Sequence, residues 1–215
     1  MALTLRALKL LAPYLKDAKV LSLGYPDLIA PDLSFLGVSP SIFTDYGNWH
    51  GVDYGLPETM HVFELLGSTL DCVDIHASRG CERIVDLNCP QALGEYDLVI
   101  DAGTIEHCFH IGQALNNAAG AVKAGGRIFH SPPMSMGNHG FYNLNPTLFF
   151  DFYTQNGWVL ENLSGVNKTQ HGPVPSTKRF TLPPEASLHV LARRTHGEPF
   201  RTPMQSKYLE NPELK

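Results

Sequence analysis

Three acidic residues stand at or near the ends of short apolar segments that could form neighbouring strands. They are Asp74, Asp86 and Asp101. In open α/β sheets, ligands bind beyond the carboxyl ends of the strands, where an acid can accept hydrogen bonds from ribose hydroxyls. Each acid alone could equally cap a helix or form a turn. Their joint order favours a nucleoside-shaped ligand, uncharged or cationic, over a phosphate.

Two of the ten histidines are candidate catalytic residues because they follow predicted strands. His107 follows the segment that ends at Asp101, and His139 lies in the glycine- and amide-containing segment 131–145. Histidine can accept a proton from a hydroxyl near neutral pH. The alternative is structural, with His107 bonded to backbone at a helix start and His139 holding a loop. The residues that could contact a small substrate are Trp49, His50, Asn138 and Tyr142.

A metal site is the weaker interpretation of these histidines. Glu106, His107, Cys108 and His110 are clustered in the sequence, and zinc and other borderline metals bind such side chains. Adjacent residues at the start of a helix point in different directions, however, and no pair of partners stands at a metal-binding spacing. The sequence therefore predicts no bound metal.

Short apolar segments alternate with helical patterns, and these elements would position the polar side chains. The predicted strands are 19–23, 70–75, 83–87, 96–101, 127–130, 158–160 and 188–192. Apolar residues on both faces are typical of parallel strands covered by helices. Residues 111–122 have apolar side chains at helical spacing, and the glycine pair at 125–126 would turn the chain into the next strand. The predicted helices are 2–15, 57–67, 111–122 and 147–156.

Alternating helices and strands predict an α/β fold with a mainly parallel sheet. We expect a single domain over residues 1–215. Residues 1–18 would form a packed N-terminal helix, bent or ended by Pro13, rather than a targeting peptide. Residues 25–69 would include an inserted loop, and residues 195–215 would form a C-terminal tail.

Five short motifs follow one another along the chain. They are VLSLG at 20–24, VDI at 73–75, VDL at 85–87, YDLVI at 96–100 with EH at 106–107, and KAGGRI at 123–128. Over residues 19–193 this order resembles the class I S-adenosylmethionine-dependent methyltransferases. The resemblance implies a Rossmann-like three-layer sandwich whose seven-stranded, mainly parallel sheet has an antiparallel last strand. It also implies methyl transfer to a small-molecule acceptor.

The resemblance implies S-adenosylmethionine as the cofactor and a role for each motif. Asp74 would bind the ribose hydroxyls, Asp86 and Leu87 would flank the adenine, and Gly24 would face the methionine portion. The full set of predicted cofactor-binding residues is Gly24, Tyr25, Asp27, Asp74, Ile75, Asp86, Leu87, Asp101, Ala102 and Gly103.

The first motif departs from the family pattern, which is usually rich in glycine with an acid at its head. Here only Gly24 is present, and Pro26 lacks an N–H donor. Asp27 could supply the missing carboxylate for the amino group of the cofactor. The departure leaves a second hypothesis open, in which a methyltransferase-like fold without turnover serves as a binding or partner module.

Composition and charge argue against other classes of function. A net charge of -5 with 16 Lys and Arg gives no broad basic face for nucleic acid. No apolar stretch approaches the roughly 18 residues of a membrane span. A nicotinamide-binding G-x-G-x-x-G motif is missing after the first predicted strand. The four cysteines form no C-x-x-C pair, which predicts a reduced cytoplasmic protein. We expect a small-molecule partner and leave a homo-oligomer open.

Overall fold

A computed structural model describes residues 1–211 of the chain. Within this range the main sheet has eight strands. They are β1 (Lys19–Leu23), β2 (Thr69–Asp74), β3 (Arg83–Ile84), β4 (Tyr96–Asp101), β5 (Val122–His130), β6 (Val159–Val166), β7 (His171–Pro173) and β8 (Ser187–Arg193). Two small ladders accompany it, Ala2–Thr4 with Asp27–Ile29 and Phe43–Thr44 with Leu56–Pro57.

The strand order across the main sheet is β7-β6-β8-β5-β4-β1-β2-β3. Strands β1 to β5 pair in parallel, whereas β8 runs antiparallel to both β5 and β6. The predicted mainly parallel α/β sheet with an antiparallel last strand is confirmed. The described sheet has one strand more than predicted because His171–Pro173 pairs with the edge of β6.

Helices cover both faces of the sheet and make three layers. The helices are α1 (Leu5–Leu11), α2 (Thr59–Leu65), α3 (Ile111–Gly120), α4 (Pro146–Gln155) and α5 (Ser206–Glu210). Successive strand residues point to opposite faces, so Leu98 packs with α1 and α2 while Val99 packs with α3 and α4. Short 3-10 turns lie at Ala12–Tyr14, Ser34–Leu36, Tyr46–His50 and Ile105–His107.

The junction of α3 and β5 differs from the prediction. The helix ends at Gly120, and β5 already begins at Val122 instead of residue 127. Tyr96 pairs with Val122 and Leu98 with Arg127, so residues 123–126 bulge out of the ladder. Gly125 has a φ of +81° in this bulge, a conformation that glycine adopts without strain. The glycine pair therefore marks a bulge within the strand.

The N-terminal segment is shorter in helix than predicted. Ala2–Thr4 forms a strand, and the Thr4 side chain then caps α1 by accepting a hydrogen bond from the Ala7 amide. The helix ends at Leu11, just before Pro13, and the chain continues as a 3-10 turn. Leu8 and Leu11 are buried against the sheet, as expected of a packed helix.

Two predicted strands also have different boundaries in the structure. The predicted strand 83–87 keeps its ladder only over Arg83–Ile84, while the strand predicted at 158–160 extends to Val166. The predicted tail 195–215 is described to residue 211, so its end lies outside the described residues, and the single domain over 1–215 stays a prediction. No helix within residues 1–211 is long and apolar enough to cross a membrane.

Candidate functional site

A cavity of about 390 Å³ opens at the carboxyl ends of the central strands. Parallel strands bring the segments that follow them to one edge of the sheet, where ligands bind in such folds. Most of the predicted cofactor-binding residues lie here. The cavity is lined by Tyr25, Asp27, Asp74, Ile75, Asp86, Leu87 and Gly103 from that set, and also by Met1, Trp49, His50, Ser78, Arg79, Val85, Asn88, Thr104, His107 and Cys108.

Asp74 ends β2 with a carboxylate that is only partly engaged. One oxygen, Oδ1, accepts a hydrogen bond of 3.3 Å from the amide of His76. The other, Oδ2, lies 3.1 Å from the place where a Cβ on Gly24 would stand. Gly24 has a φ of +75° and brings the backbone close to this acid. Asp74 can therefore accept further hydrogen bonds from a ligand in the cavity.

Gly24 itself does not line the cavity. The side chain of Met1 packs against it and takes its place in the lining. A ligand that reaches Gly24 must therefore displace this side chain, which is flexible because it is unbranched.

Asp86 supplies a second acid to the cavity from the segment after β3. Its Oδ1 accepts hydrogen bonds from the amide of Asn88 at 2.9 Å and from the side chain of Asn88 at 2.8 Å. These bonds lower the pKa of Asp86, so it is ionised at neutral pH. The side chain of Asn117 donates to the carbonyl of Leu87 at 3.0 Å and holds this segment on α3.

The inserted segment 25–69 closes one side of the cavity around an ion pair. Arg79 donates to both oxygens of Asp27 at 2.9 and 2.7 Å, and His50 Nε2 lies 2.8 Å from Asp27 Oδ2. The guanidinium of Arg79 also lies 3.4 Å from the ring centre of Tyr46 and 5.5 Å from that of Trp49. Sequence analysis missed Arg79, because nothing in the segment after β2 indicates that it would reach Asp27.

This arrangement bears on the role predicted for Asp27, which itself stays a prediction. The residue lines the cavity, but its carboxylate is already held by Arg79 and His50. A paired, buried carboxylate has little capacity left for the amino group of a ligand. The predicted substrate contacts Trp49 and His50 do line the cavity.

Asp101 and Ala102 do not line the cavity, contrary to expectation. Asp101 is fully buried. Its Oδ1 accepts a hydrogen bond of 2.9 Å from the amide of Thr104, and its Oδ2 lies 2.7 Å from His130 Nδ1. His130 Nε2 in turn lies 2.6 Å from the hydroxyl of Tyr153. The side chain of Asp101 thus belongs to a polar chain inside the protein.

Glu106, His107 and His139 come together at the rim of the cavity. Glu106 Oε1 lies 3.5 Å from His139 Nε2 and 4.0 Å from His107 Nε2, and the two rings are 5.3 Å apart. Burial, and then the charge of Asp101, raises the pKa of Glu106 to about 8. Burial, and then His139, lowers the pKa of His107. The sequence groups Glu106 and His107 only with residues next to them in the chain. It gives no sign that His139 lies beside them, because the fold alone brings His139 close.

The remaining predicted contacts lie elsewhere. His139 and Asn138 do not line the cavity, and Asn138 has a φ of +59° in the turn before His139. Tyr142 donates a hydrogen bond to the carbonyl of Phe109 and lines a separate cavity of about 830 Å³ beside α4. That larger cavity lies away from the acids at the strand ends.

Comparison with known proteins identifies the fold. No protein-family model matches the sequence, and no curated protein matches it in sequence. The structure is similar to that of 1,6-didemethyltoxoflavin-N1-methyltransferase from Burkholderia thailandensis, solved with bound 1,6-didemethyltoxoflavin and S-adenosylhomocysteine. That match has 17% identity, covers 87% of this chain and 76% of that one, and has a TM-score of 0.50. TehB from Haemophilus influenzae matches with 14% identity over 88% of this chain and 60% of its own, at a TM-score of 0.48. The chain has the class I S-adenosylmethionine-dependent methyltransferase fold.

Proposed function

We propose that this protein is an S-adenosylmethionine-dependent methyltransferase that acts on a small molecule. The observation that carries the proposal is the pair of acids Asp74 and Asp86, which line one cavity, Asp74 at the end of β2 and Asp86 in the segment just after its neighbour β3. Asp74 Oδ2, beside Gly24, accepts no hydrogen bond from residues 1–211. The solved methyltransferase with the same fold carries bound S-adenosylhomocysteine, which supports this choice of cofactor.

Asp74 and Asp86 would contact different parts of the cofactor. Asp74 would accept hydrogen bonds from the two ribose hydroxyls, and Asp86 with Leu87 would lie against the adenine. The backbone at Gly24 and Gly103 would border the methionine portion once the side chain of Met1 moves aside. Gly103 has a φ of +98° and, like Gly24, lets the backbone approach a ligand closely.

The acceptor would lie between the inserted segment and the turn after β4. Trp49, His50 and His107 all line the cavity, and His139 stands next to His107. A cavity of about 390 Å³ is within the usual range for small-molecule sites. Methyl transfer depends mainly on holding the acceptor atom near the methyl group, and these four residues are proposed to do so.

A second candidate function is a binding or partner module, in which the methyltransferase-like fold has no turnover. Two features at the end of the cavity where the methionine portion would lie favour this second function. Met1 packs on Gly24, and Arg79 and His50 already hold Asp27. In this case S-adenosylhomocysteine would bind, but no acceptor would be methylated.

Titration calorimetry with S-adenosylmethionine and S-adenosylhomocysteine tests the cofactor site. Micromolar binding, about -8 kcal/mol, is expected for the wild type. Asp74→Ala should weaken binding at least tenfold, whereas Asp53→Ala, at an exposed acid outside the cavity, should leave it unchanged. Absence of heat and of a thermal shift at millimolar ligand would overturn both candidates. Binding without conversion of S-adenosylmethionine by a panel of small acceptors would favour the module.

The location and assembly of the protein belong to the same proposal. All four cysteines are free, which is typical of proteins in a reducing compartment. We therefore extend the proposal to a cytoplasmic enzyme. Association into a homo-oligomer stays a prediction.

A further inference from the structure

Glu106 is a fully buried acid that makes no side-chain hydrogen bond within the described part of the chain. Neither Oε1 nor Oε2 has a hydrogen-bond partner among residues 1–211. Buried polar groups in native proteins are almost always hydrogen-bonded, and an orphaned one calls for an explanation such as an ion. The groups nearest to Oε1 are two ring nitrogens, Nε2 of His139 and Nε2 of His107.

The surrounding backbone is built to hold this carboxylate in place. A Cβ on Gly103 would stand 3.0 Å from Oε1, and a Cβ on Gly140 would stand 3.0 Å from Cγ of Glu106. Two glycines therefore let the chain pack directly on the acid. The amides of Phe141 and Tyr142 donate to the carbonyl of Glu106 at 2.9 and 3.3 Å. These bonds fix the segment that carries His139 against the turn that carries Glu106.

We propose that Glu106, His107 and His139 bind a divalent transition-metal ion. One ligand atom from each residue can be chosen so that all three lie within 4.8 Å of one another. Ligand atoms about 2.0–2.2 Å from a zinc ion in a tetrahedral site stand about 3.3 Å apart. The distances of 3.5 and 4.0 Å from Oε1 to the two histidines approach this value, so small side-chain rotations close the site.

The donor set selects the class of ion. Two imidazole nitrogens and one carboxylate oxygen suit zinc, iron(II), manganese(II) or cobalt(II). Magnesium and calcium prefer sites made of oxygen ligands and should bind more weakly. Three protein ligands leave at least one coordination position for water or another small ligand.

The site is next to the cavity because His107 lines it. An ion there would stand beside the part of the cavity where the acceptor is proposed to bind. This last consequence rests on the proposed function, whereas ion binding itself does not. His107 and His139 would then act through the ion, as its ligands, rather than as free bases.

Titration of the chelator-treated, full-length protein with zinc chloride tests the site, with magnesium chloride as the comparison ion. The wild type should bind one zinc ion with micromolar or tighter affinity and bind magnesium more weakly. Glu106→Gln and His139→Ala should each weaken zinc binding at least tenfold. His110→Ala alters an exposed histidine outside the cluster and should bind zinc as the wild type does.

Two results would overturn the site: no zinc binding by the wild type, or equal zinc affinity in all variants. Thermal melts of each variant establish that it is folded. The failure of this inference is separable from failure of the proposed function. His139→Ala should still bind S-adenosylhomocysteine, and Asp74→Ala should still bind zinc. A wild type that binds zinc but not S-adenosylhomocysteine would overturn the cofactor proposal alone.

Discussion

Asp101 and Glu106 are two buried acids at the end of β4 with opposite surroundings. Asp101 accepts a hydrogen bond from the amide of Thr104, and His130 Nδ1 lies 2.7 Å from its other oxygen. Glu106 is equally buried, yet both of its oxygens lack a hydrogen-bond partner among the described residues. The difference separates a carboxylate that holds the fold together from one that is free to bind a ligand.

The reason for the difference lies in the direction of each side chain. Asp101 is the last residue of β4 and pairs with His130 of β5 in the sheet, so its side chain joins a polar chain that reaches Tyr153. Glu106 lies in the turn after the strand and faces the rim of the cavity. Its position leaves the carboxylate beside two histidines that are themselves half-exposed.

The largest effect is expected from Asp101→Asn. The amide keeps the size of the side chain but removes the charge, and its NH2 group cannot accept hydrogen bonds. Breaking a buried, hydrogen-bonded pair destabilises a protein by about 3–5 kcal/mol, so the free energy of unfolding should fall by about that amount. Urea denaturation measures it.

The control for Asp101→Asn is Asp71→Asn. Asp71 also accepts a side-chain hydrogen bond, from the hydroxyl of Tyr96 at 2.7 Å, but it is exposed. Its replacement should change stability by less than about 1 kcal/mol. Equal losses in the two variants would contradict the structural role of Asp101.

A third buried titratable group, His189, extends the comparison to pH. It packs edge-on against Phe129, and burial, with a smaller effect of Arg6, lowers the pKa of His189 from 6.5 to about 4. Between these values the unfolded chain binds a proton that the folded protein does not. Stability should therefore fall by about 3 kcal/mol as the pH drops from about 6.5 to about 4.

Urea denaturation at a series of pH values checks the contribution of His189. The neutral variant His189→Gln should lose this part of the acid-side decline, so its curve should converge with that of the wild type at low pH. Parallel curves for the two proteins would show that His189 does not titrate in this way.

Sequence reasoning identified the strands well because continuous apolar segments are a strong signal for buried parallel strands. It also predicted Asp74 and Asp86 at one edge of the sheet, since the ends of parallel strands share that edge, and both acids line the cavity there. It did not foresee that the Asp101 side chain lies outside the cavity, because a strand end does not reveal which way the last side chain points, and alternation reverses that direction with each residue. The loop after β5 brings His139 close to Glu106, and no spacing of residues in the sequence predicts the path of that loop.

A smaller effect is expected from Gly140→Ala, which disturbs Glu106 without replacing it. The added Cβ would stand 2.9 Å from the carbonyl oxygen of Glu106, so the segment carrying His139 must move away. Overpacking of this kind costs about 1–3 kcal/mol. We expect lower stability in urea and weaker zinc binding. Gly137→Ala is the matched control, because its Cβ would meet nothing within 4 Å, and it should leave both quantities unchanged.

The smallest effect on stability is expected from Glu106→Gln, although the residue is as buried as Asp101. The Glu106 side chain has no hydrogen bond to lose among residues 1–211. With its pKa raised to about 8 it is mostly uncharged at neutral pH, so a neutral amide of the same shape replaces it at little cost. The free energy of unfolding in urea, measured without added metal, should therefore stay within about 1 kcal/mol of the wild type or rise slightly. Zinc should then stabilise the wild type more than the variant, since binding to the folded state adds to stability. A loss as large as that of Asp101→Asn would mean that Glu106 holds the fold together and would remove the contrast between the two acids.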